Sequence, residues 1–129
     1  MGKQSKVVNT KPISYLAAPY SLGGSDTEYY RMQRYGMVTR AAWELFKNGI
    51  NVYSPITHHH TIQKYGRIEM STSEWMKYDL PYLSVANKLY VLMIDGWDIS
   101  DGVQQEIDYA KKHDIPMVLL EPNEFVLGG

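Results

Sequence analysis

The chain has 129 residues, no cysteine, and 13 Lys plus Arg against 14 Asp plus Glu. That length suits one domain and is short for two, and a core of this size forms without disulfides or metal. The even charge offers no basic surplus for a nucleic-acid polymer or an anionic membrane, and the missing cysteines exclude a disulfide scaffold, thiolate catalysis and cysteine zinc sites.

Residues 1–12 read as a flexible polar tail without an apolar signal region. No run nears the roughly 20 apolar residues that span a bilayer. A soluble, cytoplasmic protein with no membrane partner is expected. Ile13 to Ala18 is a short apolar run closed by Pro19, which suits a buried strand. A turn-rich segment, residues 19–26, leads into a long helix from about Thr27 to Asn48. Tyr35, Val38, Ala42 and Leu45 recur there at helical spacing, and Gly49 stops it. Ile50 to Ser54 is a second strand, ended by Pro55. Residues 55–71 read as a polar loop carrying His58, His59 and His60. A second helix spans about Ser73 to Ala86, and Pro81 should kink or restart it. Lys88 to Ile94 forms a third strand, apolar enough to be buried on both faces. Asp101 and Gln104 have the spacing of a capping box for a third helix ending near His113. Ile115 to Leu120 is a fourth strand.

This alternation predicts one α/β domain over residues 13–129. It has a single doubly wound, mainly parallel sheet of four to five strands with helices on both faces, flavodoxin- or Rossmann-like. In such sheets ligands bind beyond the carboxyl ends of the strands. The segments to search are therefore 18–27, 54–62 and 94–103.

Two carboxylates stand where apolar residues belong. Glu106 shares the stripe of Val103, Ile107 and Ala110, and Asp79 shares that of Trp75, Tyr82, Leu83 and Ala86. A carboxylate on a core-facing stripe is costly unless it is paired, hydrogen-bonded or facing a cleft. One alternative is a boundary residue that meets an arginine or reaches water. A pair of acids across a cleft is also the machinery for glycosidic bonds. The loop from Gly96 to Gly102 enters a helix N-terminus, whose free N–H groups favour an anion or a hydroxyl. Ser100 could add its own hydroxyl there, and Gly102 permits close approach. Trp97 is either a lid over a flat ligand or a core plug. His58 and His60 share a side only if their segment is extended, and no acid stands at convincing spacing, so no metal site is expected. Base or phosphate contact by a histidine of this segment is the functional alternative to a solvated loop. Arg34 could reach an anion beside the first strand.

The segment Tyr15-Leu16-Ala17-Ala18-Pro19-Tyr20-Ser21, the sequence Ser54-Pro55-Ile56-Thr57-His58-His59-His60, the pair Trp75 and Asp79, and the stretch Gly96 to Glu106 resemble the nucleoside 2-deoxyribosyltransferase-like superfamily. The match is to a branch found in bacteria and phages, and it covers about residues 13–120. By this resemblance Glu106 is the nucleophile that attacks C1′, Tyr15 orients it, and Asp79 protonates or holds the departing base. Ser100 stands where the nucleoside transferases carry an acid that binds the base and where the related deoxynucleotide N-hydrolases carry a serine that binds a 5′-phosphate. Pro19, Tyr20, Ser21, Trp97, Gly102, His58, His60 and Arg34 complete the expected substrate contacts. Asp108 departs from the pattern, because a glycine is often found there. The resemblance implies an N-glycosidase or deoxyribosyltransferase acting on a nucleoside or nucleotide, with no metal or cofactor, as a homodimer or larger homo-oligomer. The rival readings are a nucleotide-binding module without turnover and, more remotely, a metal hydrolase using His58 and His60.

Overall fold

The computed structural model describes residues 10–22 and 26–123. Most of the expected tail, residues 1–9, lies outside the described residues, as do Gly23, Gly24, Ser25 and residues 124–129. The elements run β1 (Ile13–Ala17), α1 (Glu28–Lys47), β2 (Asn51–Tyr53), α2 (Pro55–Gly66), α3 (Thr72–Ser84), β3 (Lys88–Leu92), α4 (Asp101–Lys112) and β4 (Met117–Leu120).

The sheet has four strands in the order β2-β1-β3-β4, and every pairing is parallel. The central strands alternate their side chains between two cores. Tyr15, Ala17, Leu89 and Val91 meet Leu83 of α3 and Val103, Ile107 and Ala110 of α4. Leu16, Ala18, Tyr90 and Leu92 meet Val38, Ala41 and Leu45 of α1. Helices therefore cover both faces, which is why β1 and β3 read as continuous apolar runs. From β1 the chain moves outward to β2, and from β3 it moves outward to β4 on the other side. The boundary between β1 and β3 is thus a topological switch point, where the departing loops diverge and leave a crevice.

Three local expectations need correction. Residues 55–66 are not loop but helix α2. Ser54 is its N-cap, accepting from Thr57 N at 3.3 Å, and Pro55 occupies its first turn. A serine cap followed by proline is a helix start; Pro55 ends β2 because it begins α2. Arg67 closes the helix in the left-handed region at φ 53°. Pro81 does not restart α3, which runs through it to Ser84. Both Pro81 and Lys77, whose carbonyl loses its usual donor, are exposed, so water can satisfy that carbonyl. Finally, Ser100 rather than Asp101 caps α4, accepting from Val103 N at 3.3 Å, while the Gln104 amide bonds the Asp98 carbonyl.

Candidate active site

A cavity of about 490 Å³ opens at the switch point. All three segments beyond the strand ends contribute to its wall, through Tyr20 and Ser21, through His59 and His60, and through Ser100 and Gly102. The start of α3 forms another side, with Trp75, Met76 and Asp79. Two loops are packed together at the rim. Gly96 adopts φ +94°, and a Cβ there would sit 2.5 Å from Leu22 Cδ1, so the glycine lets these loops touch.

Glu106 and Asp79 both line this cavity and are only 5% and 4% exposed. Glu106 reaches it from the apolar stripe of α4. Tyr15, fully buried in β1, donates its hydroxyl to Glu106 Oε2. Burial pushes the Glu106 carboxyl up to about 8, because a charge there loses its hydration; the negative Asp79 adds to the rise and the Tyr15 hydrogen bond opposes it. Burial, followed by the nearby Glu106 and Asp79, drives the Tyr15 phenol well above its ordinary value, so it remains a donor. Asp79 accepts from or shares a proton with His59, whose Nε2 lies 2.5 Å from Asp79 Oδ1. Trp75 covers that imidazole, with ring centroids 4.2 Å apart.

The structure divides the remaining candidates. Tyr20, Ser21, His60, Ser100 and Gly102 line the cavity with the two acids. His60 is also clasped, since it stacks on Tyr35 at 4.0 Å and its Nδ1 lies 2.7 Å from the Tyr20 hydroxyl. Burial lowers its basicity, and the Lys64 ammonium adds to that effect. Pro19 is fully buried and is not among the lining residues. Trp97 packs against the core that contains Tyr15, away from the lining. His58 lies against Tyr53 rather than in the cavity wall. Among the described residues no group of three His, Asp or Glu could hold a metal ion.

Arg34 serves as a brace. It donates to both Asp26 oxygens, at 2.8 and 3.1 Å, and to the Tyr20 carbonyl at 2.6 Å. Its hydrogen bonds hold the Asp26 carboxyl below the ordinary range, against the opposing effect of burial. The pair is nearly buried, with side chains 12% and 5% exposed. Arg34→Ala should therefore cost about 2 kcal/mol, because Asp26 loses its paired hydrogen bonds and keeps the Leu22 N–H and the more distant Arg31, 3.9 Å away; urea unfolding of the two proteins checks this.

Sequence reasoning named His59 with its two neighbours but did not single it out. Its signal was the helix start at Ser54-Pro55. Once α2 is helical, Ile56, His59, His60 and Gln63 share a face, and all four line the cavity.

Fold and site together define a doubly wound α/β protein with a carboxylate-lined cavity at its switch point. Residues 12–122 match the family described as a domain of unknown function, DUF1937, and the chain belongs to that family. No curated protein matches the chain. Among the described residues no helix is long and apolar enough to cross a membrane.

Proposed function

We propose that the protein cleaves the N-glycosidic bond of a deoxynucleoside or a nucleoside 5′-monophosphate through a covalent glycosyl–Glu106 intermediate. The intermediate then passes to water or to a second base. The observation that carries this reading is Glu106 itself: a buried carboxylate, held by a phenol, in the wall of a cavity that a second buried carboxylate shares. The cavity volume falls within the roughly 300–1,000 Å³ usual for small-molecule sites.

In this reading Glu106 attacks C1′ from the face opposite the base, through an oxocarbenium-like transition state. Tyr15 fixes the carboxylate and favours its charged form. The departing base needs a proton or a strong hydrogen bond, and the Asp79 side of the cavity supplies it. Ser100 uses its oxygen as the helix cap, which leaves its hydroxyl hydrogen to donate to a sugar oxygen or phosphate beside the first turn of α4. The resemblance of Tyr15, Asp79, Ser100 and Glu106 to the nucleoside 2-deoxyribosyltransferase-like site supports the same chemistry. The cytoplasmic location and the homo-oligomer belong to this proposal and rest on that sequence reading.

The test is chromatographic detection of free base from a panel of nucleosides and their 5′-monophosphates, ribo and deoxy. Release that vanishes with Glu106→Ala is the expected outcome. If no base appears, and a second base gives no exchange, the proposal fails. One observation favours a second reading, a nucleotide-binding module without turnover: a carboxyl pushed up to about 8 is protonated near neutrality and could simply donate a hydrogen bond to a ligand.

A further inference from the structure

We infer that His59 hands the proton to the departing base, with Asp79 holding the imidazole in place; the assignment rests on the glycosidase reading above. Three observations meet at this residue. His59 Nε2 is bound to Asp79 Oδ1 at 2.5 Å, and the two side chains are only 14% and 6% exposed, so this is not a loose surface pair. Trp75, one turn before Asp79 on α3, covers the ring and restricts its orientation. His59 lines the same cavity as Glu106, and its Nδ1 has no hydrogen-bond partner among the described residues, yet is not sealed off as a buried orphan.

In a short imidazole–carboxylate hydrogen bond the ring N–H donates and the carboxylate oxygen accepts. A carboxylate on one ring nitrogen fixes the orientation of the other and stabilises the imidazolium. Asp79 is then a positioning residue and Nδ1–H is the acid. As Glu106 Oε bonds to C1′, the C1′–N bond breaks and its electron pair goes to the base. Nδ1 gives the base its proton, so the base leaves neutral and the ring is left neutral. In the second half Nδ1 takes a proton from the attacking water or the incoming base. The C1′–Oε bond breaks, and Glu106 regains its carboxylate.

A leaving group that needs no proton tests this. 2′-Deoxyguanosine and 7-methyl-2′-deoxyguanosine, each as nucleoside and 5′-monophosphate, would be assayed with wild type and His59→Gln, above a Glu106→Ala background. Methylation makes the bound base cationic, so it departs neutral unaided. His59→Gln should lower kcat about 10²–10³-fold on the unmethylated probe and only a few-fold on the methylated one. The ratio of the two rates in one preparation is insensitive to any loss of folded protein. Equal losses on both probes overturn the assignment, as does wild-type release from neither probe. Only absence of release from the whole nucleoside panel overturns the glycosidase reading itself.

Discussion

Glu106→Gln is expected to lower turnover at least ~10³-fold while leaving ligand affinity within a few-fold. The amide keeps the shape of the side chain and can still accept from the Tyr15 hydroxyl, but it cannot form the glycosyl ester. The loss should therefore fall on kcat. The wild-type pH profile gives an independent check. Attack requires the carboxylate, and Glu106 in the free protein sits at about 8. Hence the Glu106 limb of the kcat/KM profile should climb as pH rises toward about 8, since this ratio reports the ionisation of the free enzyme's essential base. Base release and equilibrium binding measured on both proteins separate the two readings. A variant that still binds but no longer turns over supports the enzyme. If neither protein turns over and both bind equally, the binding module takes its place.

Much of this site was legible because two acids broke an apolar period. Glu106 between Val103, Ile107 and Ala110, and Asp79 on the stripe of Trp75 and Leu83, are anomalies on a helical wheel, and both are buried in the cavity wall. The alternation of strands and helices likewise sufficed for a parallel sheet, because β1 and β3 are buried on both faces. Residues 55–66 were not legible in the same way. Their three consecutive histidines and scattered polar residues give no clean apolar period, so the helix start at Ser54-Pro55 looked like the end of a strand. That reading concealed His59. The fate of Trp97 was undecidable from spacing, because packing against the Tyr15 core depends on how the loop folds back. Arg34 looked like an anion contact because a lone arginine carries no mark of its partner. Asp26, eight residues earlier, engages it through tertiary geometry that helical spacing does not encode.

The same carboxyl that serves the chemistry should make the fold lose stability as pH rises from about 4.5 to about 8. Unfolded, Glu106 titrates near its ordinary 4.5; folded, it titrates near 8. Between those values the native state keeps a proton that the unfolded chain has shed. Raising the pH favours the state with fewer protons, so stability falls by up to about 1.4 kcal/mol per pH unit from this residue and levels off above about 8. The contribution is complete below about 4.5, and its loss amounts to several kcal/mol against a typical total of 5–15 kcal/mol. Asp26 acts in the opposite direction and elsewhere on the scale. Its lowered carboxyl stabilises the fold above its ordinary 3.8 and loses that effect as pH falls through the folded value. Urea midpoints of wild type and Glu106→Gln at pH 5, 6.5 and 8 isolate the effect, because the histidines common to both proteins cancel in the difference. The variant should gain on wild type steadily across that range, and a flat difference would show that Glu106 is charged in the fold throughout. A rising kcat/KM and a falling wild-type stability over one pH window would then share a single cause, the ionisation of a carboxylate that burial resists.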